Sequence, residues 1–176
     1  MTFTFHLTRP TQTRLDADYL EDQGPLEDPS DYDYLAMRAC TDLAQTDTAF
    51  HIGGFGTQDW GFDISYDMSS FVESLPELVE ALHGRKEFEL DLYPQGVERT
   101  LTFRFPSPDT VEIDCASRTS WVPNPPTETT SRTQLLALCH ALQQDLAASL
   151  AAIGSDVAQL PPFSTWQPGG SPVEPS

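Results

Sequence analysis

His51 and Asp63 are the residues in this chain whose types and spacing come nearest to acid–base chemistry. Phe50 and Ile52 alternate with His51, and Trp60, Phe62, Ile64 and Tyr66 alternate with Gly61, Asp63 and Ser65. A hairpin over these two runs would set the imidazole opposite the carboxylate on its outer face, where one could orient the other as a base. No nucleophile stands nearby, so a surface cross-strand pair is the plainer reading. Cys115 alternates with Val111 and Ile113, which turns its thiol inward, where desolvation keeps it protonated and inert. Glu87, Glu89 and Asp91 share one strand face with neighbouring carboxylates ~7 Å apart, a separation open to an inverting acid–base pair or to a hard cation. Acids on a solvated face are the commoner case. Gly53-Gly54-Phe55-Gly56 lacks the strand-to-helix setting and the Lys of a phosphate loop and reads as a turn. Cys40, Cys115 and Cys139 make neither a CxxC nor a Cys/His cluster, so no metal or cofactor site is expected, only three reduced thiols.

Charge speaks more clearly than any of these. Nine Lys plus Arg stand against 27 Asp plus Glu, a formal net charge of −18. Coating a phosphate backbone or an anionic membrane requires a surplus of cations on one face, so direct nucleic-acid and membrane binding are disfavoured and a basic partner is favoured. The acids concentrate at Asp16, Asp18, Glu21, Asp22, Glu27, Asp28, Asp31 and Asp33, with no cation among them. This run, interrupted by Pro25 and Pro29, reads as a solvated loop over 15–34 that could steer a basic protein. Aromatic anchors would complement such steering: Tyr93, beside Glu98 and Arg99 at a hairpin tip, and Trp121 in a proline-rich loop could form one end patch.

The elements that would position these residues follow from periodicity. Phe3, Phe5 and Leu7 alternate with polar residues as a half-buried strand. A short helix fits Tyr34 to Ala44, and Ser74-Leu75-Pro76-Glu77 reads as a capping box opening a second one that ends at Gly84. Between Glu87 and Cys115 three apolar sets alternate with polar residues, which makes three antiparallel strands pairing Leu90 with Leu101 and Phe103 with Ile113. Arg104 then lies on the outer face between Glu87 and Glu112. Pro123, Pro125 and Pro126 make 117–130 a loop. From Ser131, Leu135, Leu138, Cys139, Leu142, Leu146, Leu150 and Ile153 draw one helical stripe that Gly154 ends. No basic, apolar leader opens the chain and no run reaches the ~20 apolar residues of a bilayer span.

GFG-TQD-W at 54–60, LDLYPQGVERTLTF at 90–103 and SRTSWVPNP at 117–125 resemble small uncharacterised actinobacterial proteins, some of which look like immunity proteins of polymorphic toxin systems. The resemblance covers about three-fifths of the chain, rests on turns and strand edges, and carries no defined site to transfer. It implies a cytoplasmic, non-enzymatic protein that occludes a cognate basic toxin. The residues themselves also admit a small enzyme using Glu87, Glu89 and Asp91, and a nucleic-acid mimic that blocks a nucleic-acid-binding protein. The expected fold is a single α+β domain over 1–154, a mostly antiparallel sheet of about six strands under a long C-terminal helix and a shorter one. A disordered Pro/Gly-rich tail is expected over 155–176.

Overall fold

A computed structural model describes residues 2–168 of the chain. It is α+β, with its six strands divided between a four-stranded and a two-stranded antiparallel sheet rather than joined in one. In β1 (Thr4–Thr8) Phe5 and Leu7 face inward as the alternation requires, and β1 pairs with β2 (Ala49–Gly53), setting Phe5 against Ile52 and Leu7 against Phe50. The expected hairpin of 50–52 with 60–66 does not form. After a Gly54–Thr57 turn only the Trp60 amide bonds back, to the Ile52 carbonyl at 2.8 Å. Asp63 then accepts from the Tyr66 and Asp67 amides and nucleates a π turn over Ile64–Met68. A capping carboxylate offers the backbone a local alternative to a ladder, and the short alternating run could not reveal which would win.

The acidic stretch is likewise folded, not a loop. Asp16 caps α1 (Ala17–Gln23) and Asp31 caps α2 (Tyr32–Leu43), each accepting two backbone amides, while Leu15 is buried and its amide reaches the Ile153 carbonyl. Acids are favoured at such positions because a helix N-terminus presents unpaired donors and a positive dipole end. Buried Asp42 knits this region together, accepting from Tyr19 Oη (2.7 Å), Ser155 Oγ (2.6 Å) and Arg38 Nε (3.3 Å).

Helix α3 (Ser69–Gly84) begins five residues before the expected box, so Pro76 lies inside it. Proline leaves the carbonyl one turn earlier without its helical donor, and here the Tyr32 hydroxyl donates to the Val72 carbonyl at 2.6 Å. The helix ends on Arg85 in the left-handed region (φ 52°), one residue past Gly84.

The four-stranded sheet has the expected register. Leu90 faces Leu101 and Phe103 faces Ile113 across β3 (Phe88–Leu92), β4 (Arg99–Ser107) and β5 (Thr110–Ser117). Residues 127–131 of the expected loop form instead the edge strand β6 (Thr127–Ser131), which Pro126 does not obstruct because it precedes the strand and serves only as an acceptor, for the Cys115 amide. Ser131 caps α4 (Arg132–Ile153), and Gly154 closes it at φ 73°. By length and composition α4 could cross a membrane, but Leu135, Cys139, Leu142, Leu146, Leu150 and Ile153 are buried in the common core.

The expected tail is ordered over 155–168. Ser155 caps a 3-10 turn (Asp156–Gln159), and α5 (Phe163–Trp166) places Phe163 fully out of solvent, its ring 5.0 Å from Trp166 and 6.1 Å from Tyr32. Proline content suggested disorder, yet Val157, Ala158 and Phe163 bury enough apolar surface to hold this short segment. The rest of the expected tail, 169–176, lies outside the described residues.

Candidate binding groove

Where α2, the π turn, α3 and the turn after β3 meet, the fold leaves a recess of about 320 Å³ lined by Met37, Tyr66 and Tyr93 together with Asp63, Asp67 and Glu73. Each wall residue is set by its element. Met37 follows Asp33 by four residues on the outer face of α2, Tyr66 is thrown outward by the π turn, and Tyr93 follows the last residue of β3. Met37, Tyr66 and Tyr93 are 53%, 71% and 55% exposed, and they are three of the four large hydrophobic residues exposed among those described. Exposed apolar side chains gathered around one concavity, rather than scattered, mark a place where something else is meant to pack.

A second recess, lined by Asp31, Tyr32, Asp33, Pro76 and Glu77, shares Glu73 with the first. Ser69, Glu73 and Glu77 stand at helical spacing on one face of α3, so Glu73 forms the divide between the two. Six carboxylates, from Asp31, Asp33, Asp63, Asp67, Glu73 and Glu77, line the combined groove, and no Lys or Arg lines either part.

Two of these carboxylates, Glu73 and Asp67, are disfavoured in their charged form by their setting. Burial raises the pKa of Glu73 above the ordinary carboxylate value and Asp33 adds to the rise, against the opposing hydrogen bonds from Tyr93 and Ser69. Tyr93 Oη donates to both Glu73 oxygens, at 3.1 and 2.9 Å. Burial and that bond push the tyrosine's own pKa up to about 12. Asp67 is raised too, by burial first and by Asp63 beside it, despite the Asp63 amide that donates to it at 3.0 Å. Carboxylates held up this way in a concavity are the kind that a bound cation relieves.

Of the residues singled out from sequence, Asp31, Asp33 and Tyr93 come together here. Asp16, Asp18, Glu21 and Asp22 lie exposed on and around α1, and Glu27 and Asp28 on the link to α2, flanking the groove's own helix in sequence but lining neither recess. Of the expected end patch, Arg99 and Trp121 are brought into contact, but Arg99 is buried rather than exposed and Tyr93 bonds Glu73 instead. Arg99 has the same strand parity as Leu101 and Phe103, so it points inward and is 6% exposed, its guanidinium carbon 4.4 Å from the Trp60 ring centre and 3.8 Å from that of Trp121. Burial holds its pKa below the usual value. Trp121 is half-buried, with its indole N–H donating to Thr57 Oγ1 at 3.0 Å, and Glu98 is a turn residue at φ 39°.

The other constellations resolve into structure. His51 pairs through Nδ1 with Asp59 at 2.8 Å rather than with Asp63, and its ring stacks on His6 at 4.7 Å across the β1–β2 pair. Arg104 bonds Asp114 and lies 3.7 Å from Glu87, and Arg118 bonds Asp91 at 2.7 Å, so two of the three candidate catalytic acids are tied up in cross-strand ion pairs. Cys115 is buried with its thiol pushed up to about 11. A Cβ at Gly56 would strike the Asn124 carbonyl, so the glycine-rich turn serves close packing against the 117–126 loop. No group of His, Cys, Asp and Glu among the described residues is arranged to hold a metal.

Met37, Tyr66, Asp67, Glu73 and Glu77 escaped sequence reasoning. The legible trace was Met37 itself, an apolar side chain between Asp33 and Thr41 on a face where the helical stripe has nothing apolar to bury. No family model, curated protein or solved structure matches the chain.

Proposed function

We propose that this chain is a non-enzymatic acidic binding protein, most concretely a cytoplasmic immunity protein that neutralises a cognate basic toxin by covering its active or substrate-binding surface. The observation that carries the reading is the groove at Glu73, where three exposed apolar side chains and six carboxylates stand together with no cation lining it. A net charge of −18 brings a basic protein in quickly, and Met37, Tyr66 and Tyr93 supply the desolvated contacts that slow its departure. The motif resemblance to immunity proteins points the same way. A nucleic-acid mimic would work through spaced surface carboxylates alone, whereas this groove adds apolar walls. The enzyme reading through Glu87, Glu89 and Asp91 is weakened because Glu87 and Asp91 have ion-pair partners of their own.

Sequencing the neighbouring genes for a toxin domain, and co-expressing this chain with the domain so found, tests the proposal, and the lack of any such neighbour would count against it. Wild type should restore growth, and a variant carrying Asp31→Asn, Asp33→Asn, Asp67→Asn and Glu73→Gln should not, while keeping its near-ultraviolet circular dichroism. Full protection by that folded variant would overturn the groove as the toxin-binding surface.

A further inference from the structure

We propose that the recess between Met37, Tyr66 and Tyr93 is a receptor for one arginine side chain of the protein partner, whose guanidinium would lie against the tyrosine rings and pair with Asp67 and Glu73. The inference rests on the reading of the chain as a binder of basic proteins and names the chemical group that enters.

Three features select the occupant. First, the lining brings aromatic and thioether surface together with carboxylates in one recess. A planar, weakly hydrated cation satisfies both at once, stacking on rings with its faces and donating to carboxylates with its edges. An ammonium is a compact and strongly hydrated charge, so it gives up more on entering a recess walled by carbon. Second, Glu73 already has its two oxygens aligned by the Tyr93 hydroxyl and by Ser69 Oγ at 3.2 Å, leaving a fixed acceptor rather than a swinging one. Third, the Arg99 guanidinium, close enough to Asp67 for their charges to be felt but not part of the recess lining, lies over the indoles of Trp60 and Trp121, so this fold already contains one guanidinium held by ring faces.

Ethylguanidinium is the probe, with propylammonium as its comparison, each titrated into the full chain and followed by the nuclear magnetic resonance signals of the Met37 methyl group and the Tyr66 and Tyr93 rings. Saturable shifts confined to those residues are expected, with ethylguanidinium binding at least about five-fold more tightly than propylammonium. Tyr66→Ala and Glu73→Gln should each weaken ethylguanidinium by about five-fold or more, and Asp18→Asn, on α1, should change nothing. Tyr66 is largely exposed, so its removal leaves the fold intact. Equal affinity for the two probes, absence of saturable shifts, or insensitivity to both groove variants would each overturn the arginine receptor. The titration needs no partner protein, so its failure is separate from a failure of the immunity reading, which the growth experiment decides.

Discussion

At the scale of single residues, the carboxylate of Glu73 and the phenol of Tyr93 each hold the other in its ordinary state, the hydroxyl bond favouring the ionised carboxylate and the carboxylate favouring the protonated phenol. The phenolate is disfavoured by burial and because its hydroxyl proton is bonded to an anion. In Glu73→Gln the anion is gone and desolvation remains, so the Tyr93 pKa should fall from about 12 part of the way toward the ordinary tyrosine value of 10.0. Ultraviolet titration of tyrosinate absorbance checks this, and an unchanged Tyr93 pKa would mean that burial alone sets it. The sequence showed Tyr93 but not its partner, because 20 residues separate them and only the docking of α3 beside β3 brings them into contact.

At the scale of elements, the interior proline of α3 is accommodated by a side chain from α2. Tyr32→Phe removes the hydroxyl that donates to the Val72 carbonyl in place of the missing amide, and a buried acceptor that loses its partner costs about 1–3 kcal/mol. In a Pro76→Ala background the new amide can close the helical bond itself, so Tyr32→Phe should cost clearly less there. Urea denaturation of the four proteins in this double-mutant cycle measures the difference, and equal costs in the two backgrounds would show that the hydroxyl does not substitute for the helix. Periodicity revealed α4, β1 and the β3–β5 meander because each repeats a pattern over many residues. It misplaced the 60–66 segment because Asp63 caps a π turn there, and with it the start of α3, which runs on from that turn at Ser69 without a side-chain cap of its own.

At the scale of the whole molecule, charge and burial set opposing demands on stability. Glu73 and Asp67 have folded-state pKa values above their unfolded ones. Between the two values the folded state binds more protons, so their cost is fully present above the raised pKa and is relieved as pH falls through it. Self-repulsion at −18 acts in the same direction, since protonation and salt both lessen it. Asp59, lowered chiefly by its bond to His51, works the other way and loses its contribution only when pH falls through its own depressed value. The thermal midpoint should therefore rise as pH is lowered from neutrality toward the carboxylate range, and rise with added salt at neutral pH, before acid reverses the trend. Calorimetry across that range decides it, and a midpoint that falls steadily over the interval would contradict the direction assigned to Glu73 and Asp67.

By itself, the sequence determined the α+β class, the register of the meander, the extent of α4 and the net charge of −18, since each depends on alternation, helical spacing or charge carried along the chain. The helix expected at 34–44 forms as α2, whereas tertiary structure alone decided that the acidic run before it would fold into α1, that Arg99 would be buried, and that residues 155–168 would join the core. It also made the groove, whose walls come from α2, the π turn, α3 and the turn after β3. No local pattern encodes such a site, because its members are unrelated in spacing and are assembled only when apolar faces on four separate segments are driven out of water together.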